Sequence, residues 1–64
     1  MQLWDVRFKH PMLIDDRITI SHEKVTLTNA ASLIKKEYQK QNIFLDNVNE
    51  IKVNWVVPHY HKKS

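Results

Sequence analysis

Apolar and polar residues alternate most regularly in the stretch Leu3-Trp4-Asp5-Val6-Arg7-Phe8-Lys9. Trp4, Val6 and Phe8 occupy one set of alternate positions, and three of the other four residues are charged. A period of two that uses aromatic and β-branched residues is typical of a strand with one buried face. The stretch therefore predicts a first strand, which ends at His10-Pro11 because proline cannot donate to a strand ladder.

Residues 17–27 predict a second strand whose alternation changes partway along. Ile18 and Ile20 fall on one face, whereas Val25 and Leu27 fall on the other, so the strand needs a local irregularity near residues 21–24. A bulge there would give one kinked strand, and a four-residue turn would give a second small hairpin. We expect the kinked strand.

The stretch from Ala30 to about Gln41 predicts a helix, because Ala30, Ile34 and Tyr38 recur at helical spacing. Thr28 or Asn29 is expected to cap its N-terminus, since either side-chain oxygen can accept from a free N–H of the first turn. Asn42 is expected to cap the C-terminus in a chain that has no glycine.

Residues 50–57 alternate again and predict a third strand, which Pro58 ends. The order strand, strand, helix, strand predicts an α+β fold of the ββαβ type, a three-stranded antiparallel sheet in spatial order 2-1-3. One helix is expected on one face, and the other face is left to solvent or to a partner. The expected core consists of the apolar side chains Trp4, Val6, Phe8, Ala30, Ile34, Tyr38 and Trp55.

Length and composition exclude several classes of function. The chain has 64 residues, no cysteine and no glycine. These absences exclude disulfide frameworks, thiolate metal sites, cysteine nucleophiles and glycine-rich phosphate loops. A core this small seldom supplies more than about 3–5 kcal/mol, so we expect no enzyme and no cofactor. No apolar run approaches a membrane span and no signal sequence is visible, so we expect a cytoplasmic protein.

The chain is basic, and the predicted open face of the sheet collects much of that charge. Ten Lys and Arg residues against seven Asp and Glu give a formal net charge of +3. An open basic face can bind an acidic protein surface or phosphates, and it is equally the normal cover of a solvated sheet. Alternation places no aromatic residue on this face, so it does not favour base stacking. The five candidate binding residues are Arg7, Lys9, Arg17, Lys24 and Lys52.

We expect one domain over residues 1–58 and a polar, basic tail over residues 59–64. The two outer strands of such a sheet have free edges, which are a common site of pairing with another protein or a second copy.

Asp15-Asp16 is typical of a turn, and the consecutive residues Ser21-His22-Glu23 point in different directions and form no catalytic triad. Four histidines, His10, His22, His59 and His61, lack the spacing of a metal site, and we expect no metal.

Three stretches carry a family resemblance: Leu3-Trp4-Asp5-Val6, Val25-Thr26-Leu27-Thr28 leading into Asn29-Ala30-Ala31-Ser32-Leu33-Ile34, and Ile51-Lys52-Val53. In this layout the chain resembles a group of very small proteins of bacteriophages and bacterial transcription complexes. The group includes the phage T7 inhibitor of host RNA polymerase and the epsilon subunit of Gram-positive RNA polymerase. The resemblance implies a ββαβ fold that serves as a non-catalytic binder of a larger machine.

The sequence thus favours a small non-enzymatic binding protein, encoded by a phage or mobile element, that modulates a larger host protein through the basic face or a free edge. One alternative is a nucleic-acid-binding module that contacts phosphates, and another is a homodimeric structural protein. The nucleic-acid alternative adds five lysines to the candidate residues. These are Lys35, Lys36, Lys40, Lys62 and Lys63.

Overall fold

A computed structural model describes residues 1–59 of the chain. Its elements are β1 (Gln2–Lys9), β2 (Arg17–His22), α1 (Ala30–Gln39), a short 3-10 helix (Val48–Glu50) and β3 (Lys52–Pro58). The three strands form an antiparallel sheet in the order β2-β1-β3. The predicted α+β fold and its strand order are therefore confirmed.

The core lies between α1 and one face of the sheet. Val6 and Phe8 of β1 are buried, and so are Ile34 and Tyr38 of α1. The Phe8 and Tyr38 rings meet edge to face, with centroids 6.2 Å apart. Trp4 is half-buried against this core, and its indole N–H donates to the carbonyl of His22 at 3.0 Å. The apolar side of β1 thus packs against the helix as predicted.

The prediction of one kinked strand over residues 17–27 is wrong. β2 ends at His22, and no second hairpin follows it. The chain leaves the sheet there, and Val25 enters the core from the connection to α1. Two hydrogen bonds fix this connection: the Thr26 amide donates to Asn29 Oδ1, and the Asn29 amide donates to Thr26 Oγ1. Because the connection orients Val25 independently of β2, the change in alternation needs no bulge.

The two ends of α1 use their asparagines in different ways. Asn29 stands at the N-cap position without a side-chain hydrogen bond to the first turn, because its oxygen accepts from Thr26 instead. Asn42 has a φ of 63° in the turn that follows the helix. Its amide donates to Gln39, and the Ile43 amide donates to the carbonyl of Tyr38. This pair of bonds around a left-handed residue is a Schellman motif. Asn42 therefore ends the helix as predicted, at the position that glycine usually occupies.

The prediction that Trp55 belongs to the core is also wrong. Phe8 pairs with Val53 and Arg7 pairs with Trp55, so Asn54 is an extra residue in β3 and forms a bulge. The bulge reverses the alternation of the residues that follow it. Trp55 consequently lies on the open face and is 40% exposed, whereas Val56, which alternation placed outward, packs against the core.

The C-terminal end of the described chain continues the pairing of β3. The His59 amide donates to the carbonyl of Leu3 at 2.9 Å. Residues 60–64, which make up most of the predicted tail, lie outside the described residues, and the boundary at residue 58 remains a prediction. In the described part of the chain, α1 has ten residues, and neither helix is long enough to cross a membrane.

Candidate functional site

The sheet face away from α1 is called here the open face. Along the strands, its residues fall into two halves of different chemistry. In one half Asp5 pairs with Thr19 on β2 and Val57 on β3, and Leu3 lies beyond it. In the other half, called here the cationic half, basic residues of all three strands surround one tryptophan. The cationic half consists of Arg7, Lys9, Arg17, Lys52 and Trp55.

The four cations of this half form two cross-strand pairs of like charge. Arg7 lies directly opposite Arg17, and Lys9 lies directly opposite Lys52. The salt bridges found within residues 1–59 are elsewhere, so none of the four cations forms a salt bridge there, although the charge of Arg17 reaches Asp5 and helps to lower the pKa of its carboxyl. Like charges directly opposite each other destabilise a sheet. The arrangement is therefore one that an anionic partner would stabilise.

Arg7 and Trp55 also contact each other. The Arg7 guanidinium lies over the Trp55 ring, 5.2 Å from its centroid. A cation–π contact of this kind contributes about 0.5–1 kcal/mol at an exposed site. It also orders a long side chain before any partner arrives, which lowers the entropy lost on binding.

Asp5 provides the negative charge at the centre of the open face. Its carboxylate accepts from Thr19 Oγ1 at 3.0 Å and lies 2.8 Å from Nδ1 of His59. The bond to His59 is the main cause that lowers the pKa of the Asp5 carboxyl below its ordinary value; partial burial opposes it, and Thr19 and the charge of Arg17 add to it. Asp5 therefore remains a carboxylate, with its hydrogen-bonding capacity directed at two neighbours.

Lys24 is the one sequence-predicted binding residue that the fold separates from the others. It follows β2 in the connection to α1, at the end of the sheet opposite Arg17, and it is not part of the open face. Its backbone carbonyl accepts from the side-chain Nδ2 of Asn29 at 3.1 Å. The other four predicted residues, Arg7, Lys9, Arg17 and Lys52, lie together on the open face.

A cleft of about 570 Å³ borders the cationic half. Lys9 and Lys52 form its boundary with the open face, and the loop between β1 and β2 forms the opposite side with the apolar side chains Leu13 and Ile14. His10 lines the cleft and is 7% exposed. Its Nδ1 accepts from the Met12 amide at 3.1 Å, so the ring hydrogen is on Nε2.

The described histidines are engaged separately. His10 contacts its own loop, His22 contacts Lys24, and His59 contacts Asp5. Among residues 1–59 no three His, Cys, Asp or Glu side chains are grouped in a way that would hold a metal ion. His61 lies outside the described residues.

Three features of the site were missed by reasoning from the sequence: Trp55 on the open face, His59 beside Asp5, and the cleft. The consecutive apolar residues Trp55, Val56 and Val57 were a signal for the first, because three in a row cannot all face one side of a strand. The other two depend on contacts between segments far apart in the chain, which alternation does not reveal.

Comparison with known proteins adds no relative. No protein-family model matches the chain, no curated protein matches it, and no solved structure matches it. The resemblance to small transcription-complex proteins therefore remains an expectation about architecture, and the functional argument depends on the open face itself.

Proposed function

We propose that the chain is a small, non-enzymatic cytoplasmic binding protein that modulates a larger protein through the open face of its sheet. The observation that carries this proposal is the cationic half, where two directly opposed pairs of basic residues form no salt bridge within the described chain. An acidic patch on a partner would convert the repulsion within these pairs into attraction.

The remainder of the open face supports a protein as the partner. Trp and Arg are the side chains most enriched among residues that dominate binding energy, and Arg7 and Trp55 contact each other at the centre of the cationic half. Leu3 and Val57 add half-exposed apolar surface beside them. Asp5 carries a negative charge that would repel a phosphate backbone crossing the sheet.

The non-catalytic part of the proposal rests on the length and composition of the chain, as argued from the sequence. Modulation of host machinery by a phage-encoded protein is the biological setting that the resemblance implies.

The experiment is affinity capture from nuclease-treated bacterial lysate with three forms of the full chain. We expect the wild type to retain a stoichiometric partner and the Arg7→Glu/Arg17→Glu variant to lose it. The control Lys24→Glu/Lys36→Glu makes the same change in charge at two exposed positions outside the open face and should retain the partner. With the purified partner, calorimetry should show at least a tenfold weaker Kd for the first variant, about 1.4 kcal/mol.

Equal capture by the variant and the control would remove the open face as the binding site. Loss in both would show that overall charge is responsible. The control variant also tests Lys24. The sequence predicts that Lys24 is a binding residue, whereas the fold places it away from the other four candidates.

A second candidate, the binding of single-stranded nucleic acid, is favoured by one observation that the alternation pattern did not predict. Trp55 is exposed on a basic sheet face, and an aromatic ring among cations is the arrangement on which bases stack. Titration with a fluorescein-labelled oligothymidylate tests it. Four phosphate contacts predict that log affinity falls with log salt with a slope of about −3, and absence of binding at low salt removes this candidate.

A further inference from the structure

The cleft beside the cationic half is large enough to receive a side chain of a partner. Its volume of about 570 Å³ lies within the range of ligand-binding pockets, roughly 300–1,000 Å³. Pro11, Leu13 and Ile14 make its lining largely apolar. Ile14 is fully exposed and Leu13 is half-buried, so the loop presents apolar surface that a partner would remove from water.

His10 adds a hydrogen-bond donor to this lining. Because Nδ1 accepts from the Met12 amide, Nε2 carries the hydrogen. Within residues 1–59 no buried polar side-chain atom lacks a partner, and Nε2 forms no hydrogen bond there, so it retains some contact with solvent. A donor of this kind, on a residue that lines the cleft, can bind a carbonyl oxygen of a molecule that enters it.

The lining of the cleft carries charges of both signs, which come from different segments of the chain. Lys9 and Lys52 lie on neighbouring strands at the boundary with the open face. The acidic residues of the lining come from other segments: Asp15 and Asp16 from the loop, and Glu50 from the 3-10 helix. The hydroxyl of Tyr38 donates to Asp15 at 3.5 Å and links the loop to α1.

We infer that the cleft receives one large apolar side chain from a protein segment in which an acidic residue precedes it and a basic residue follows it, or the reverse. The inference rests on the proposed function, because Lys9 and Lys52 belong both to the cleft and to the cationic half. The acidic residue meets the two lysines, the apolar side chain contacts Leu13 and Ile14, and the basic residue meets the carboxylates. A nucleic-acid strand has no cation to offer to those carboxylates, which favours a peptide.

The test is a titration of the isotope-labelled full chain, followed by NMR, with the peptide acetyl-Glu-Glu-Phe-Lys-Lys-amide. A matched peptide has Ala in place of Phe. Burial of a phenyl side chain predicts that the first peptide binds at least about tenfold more tightly than the second. We expect shifts at the amides of Leu13 and Ile14 and at the ring nitrogens of His10. Equal affinity of the two peptides overturns the inference, and so do shifts confined to other residues.

Two variants in the same loop form the control. Ile14 lines the cleft, whereas Met12 is exposed in the same loop and does not line it. Neither side chain belongs to the core, so both variants should fold. Ile14→Asp should weaken the Phe peptide by at least about tenfold and Met12→Asp by less than about twofold, a difference larger than ordinary surface effects. Equal losses in the two variants overturn the inference.

The natural partner separates this inference from the proposed function. Arg7 and Arg17 do not line the cleft. A partner that Arg7→Glu/Arg17→Glu loses and Ile14→Asp retains overturns the inference and leaves the proposed function standing. A partner that Ile14→Asp loses and the arginine variant retains removes the open face and supports the cleft as a site.

Discussion

The contact between Asp5 and His59 joins the two ends of the described chain. His59 Nδ1 lies 2.8 Å from the Asp5 carboxylate, and the His59 amide bonds to Leu3 on the same strand. The partners are separated by 54 residues in sequence. No local pattern connects residues so far apart, which is why reasoning from the sequence assigned Asp5 to an ordinary charged position and His59 to a tail.

At this scale the first prediction concerns pH. The folded pKa of Asp5 lies below its unfolded value, so its contribution to stability is present above the unfolded pKa and is lost as pH falls through the folded pKa. Asp5→Asn should therefore lower the free energy of unfolding by about 0.5–1 kcal/mol at pH 6, the usual size for a partly exposed pair. Urea denaturation at a series of pH values measures it.

The difference between wild type and Asp5→Asn should begin to shrink near about pH 4, where the carboxyl of the unfolded chain becomes protonated while that of the folded chain is still ionised, and should shrink further as pH falls through the folded pKa. Asp46→Asn, an exposed position outside the sheet, is the control and should show no such change. A difference that stays constant from pH 6 to pH 2 would mean that the Asp5 charge does not stabilise the fold.

At the scale of elements, the bulge in β3 determines which tryptophan is structural. Trp4 packs against the core and donates to His22, whereas Trp55 lies on the open face. Trp4→Ala should cost about 3 kcal/mol, as expected for a large side chain removed from packed surroundings. Trp55→Ala should cost about 1 kcal/mol or less, most of it the contact with Arg7.

Chemical denaturation of the two variants measures these costs, and fluorescence provides an independent check. The chain has two tryptophans, so each variant retains one emitter. Acrylamide should quench the remaining Trp55 more strongly than the remaining Trp4. Similar quenching, or a larger cost for Trp55→Ala, would contradict the bulge and would return Trp55 to the core.

The strands illustrate how far the sequence leads at this scale. β1 follows its alternation along its whole length, because the residues of a central strand with one covered face are constrained at every position. β2 and β3 depart from theirs where the backbone changes direction, at His22 and at Asn54. A bulge and a strand end both depend on the neighbouring strand, so local alternation cannot place them.

At the scale of the whole molecule, stability depends on a small core, and the two phenylalanines test this. Phe8 is fully buried, whereas Phe44 is 65% exposed after α1. Phe8→Ala should cost about 3–5 kcal/mol. That equals the stability expected of a core of this size, so the variant should be largely unfolded at 25 °C by circular dichroism. Phe44→Ala should remain folded, and equal effects of the two changes would contradict the assigned core.

The candidate site was predictable in its chemistry and less so in its arrangement. Arg7, Lys9, Arg17 and Lys52 lie on the open face as the alternation of strands predicts, because each is close to a regular, paired part of the sheet. Their division into opposed pairs follows from register, which no single strand specifies. The cleft requires the loop, the 3-10 helix and two strand ends together.

The strand order has a consequence for how the protein forms during synthesis. β1 is made first but occupies the centre of the sheet, and its pairing with β3 joins residues as far apart as Trp4 and Pro58. While the chain emerges from the ribosome, β1 can form a hairpin with β2, and a two-stranded hairpin is marginally stable at best in water. Folding must therefore wait until translation has passed Pro58. A chain that stops before Lys52 lacks β3, and one edge of β1 then stays unpaired and open to chaperones and proteases.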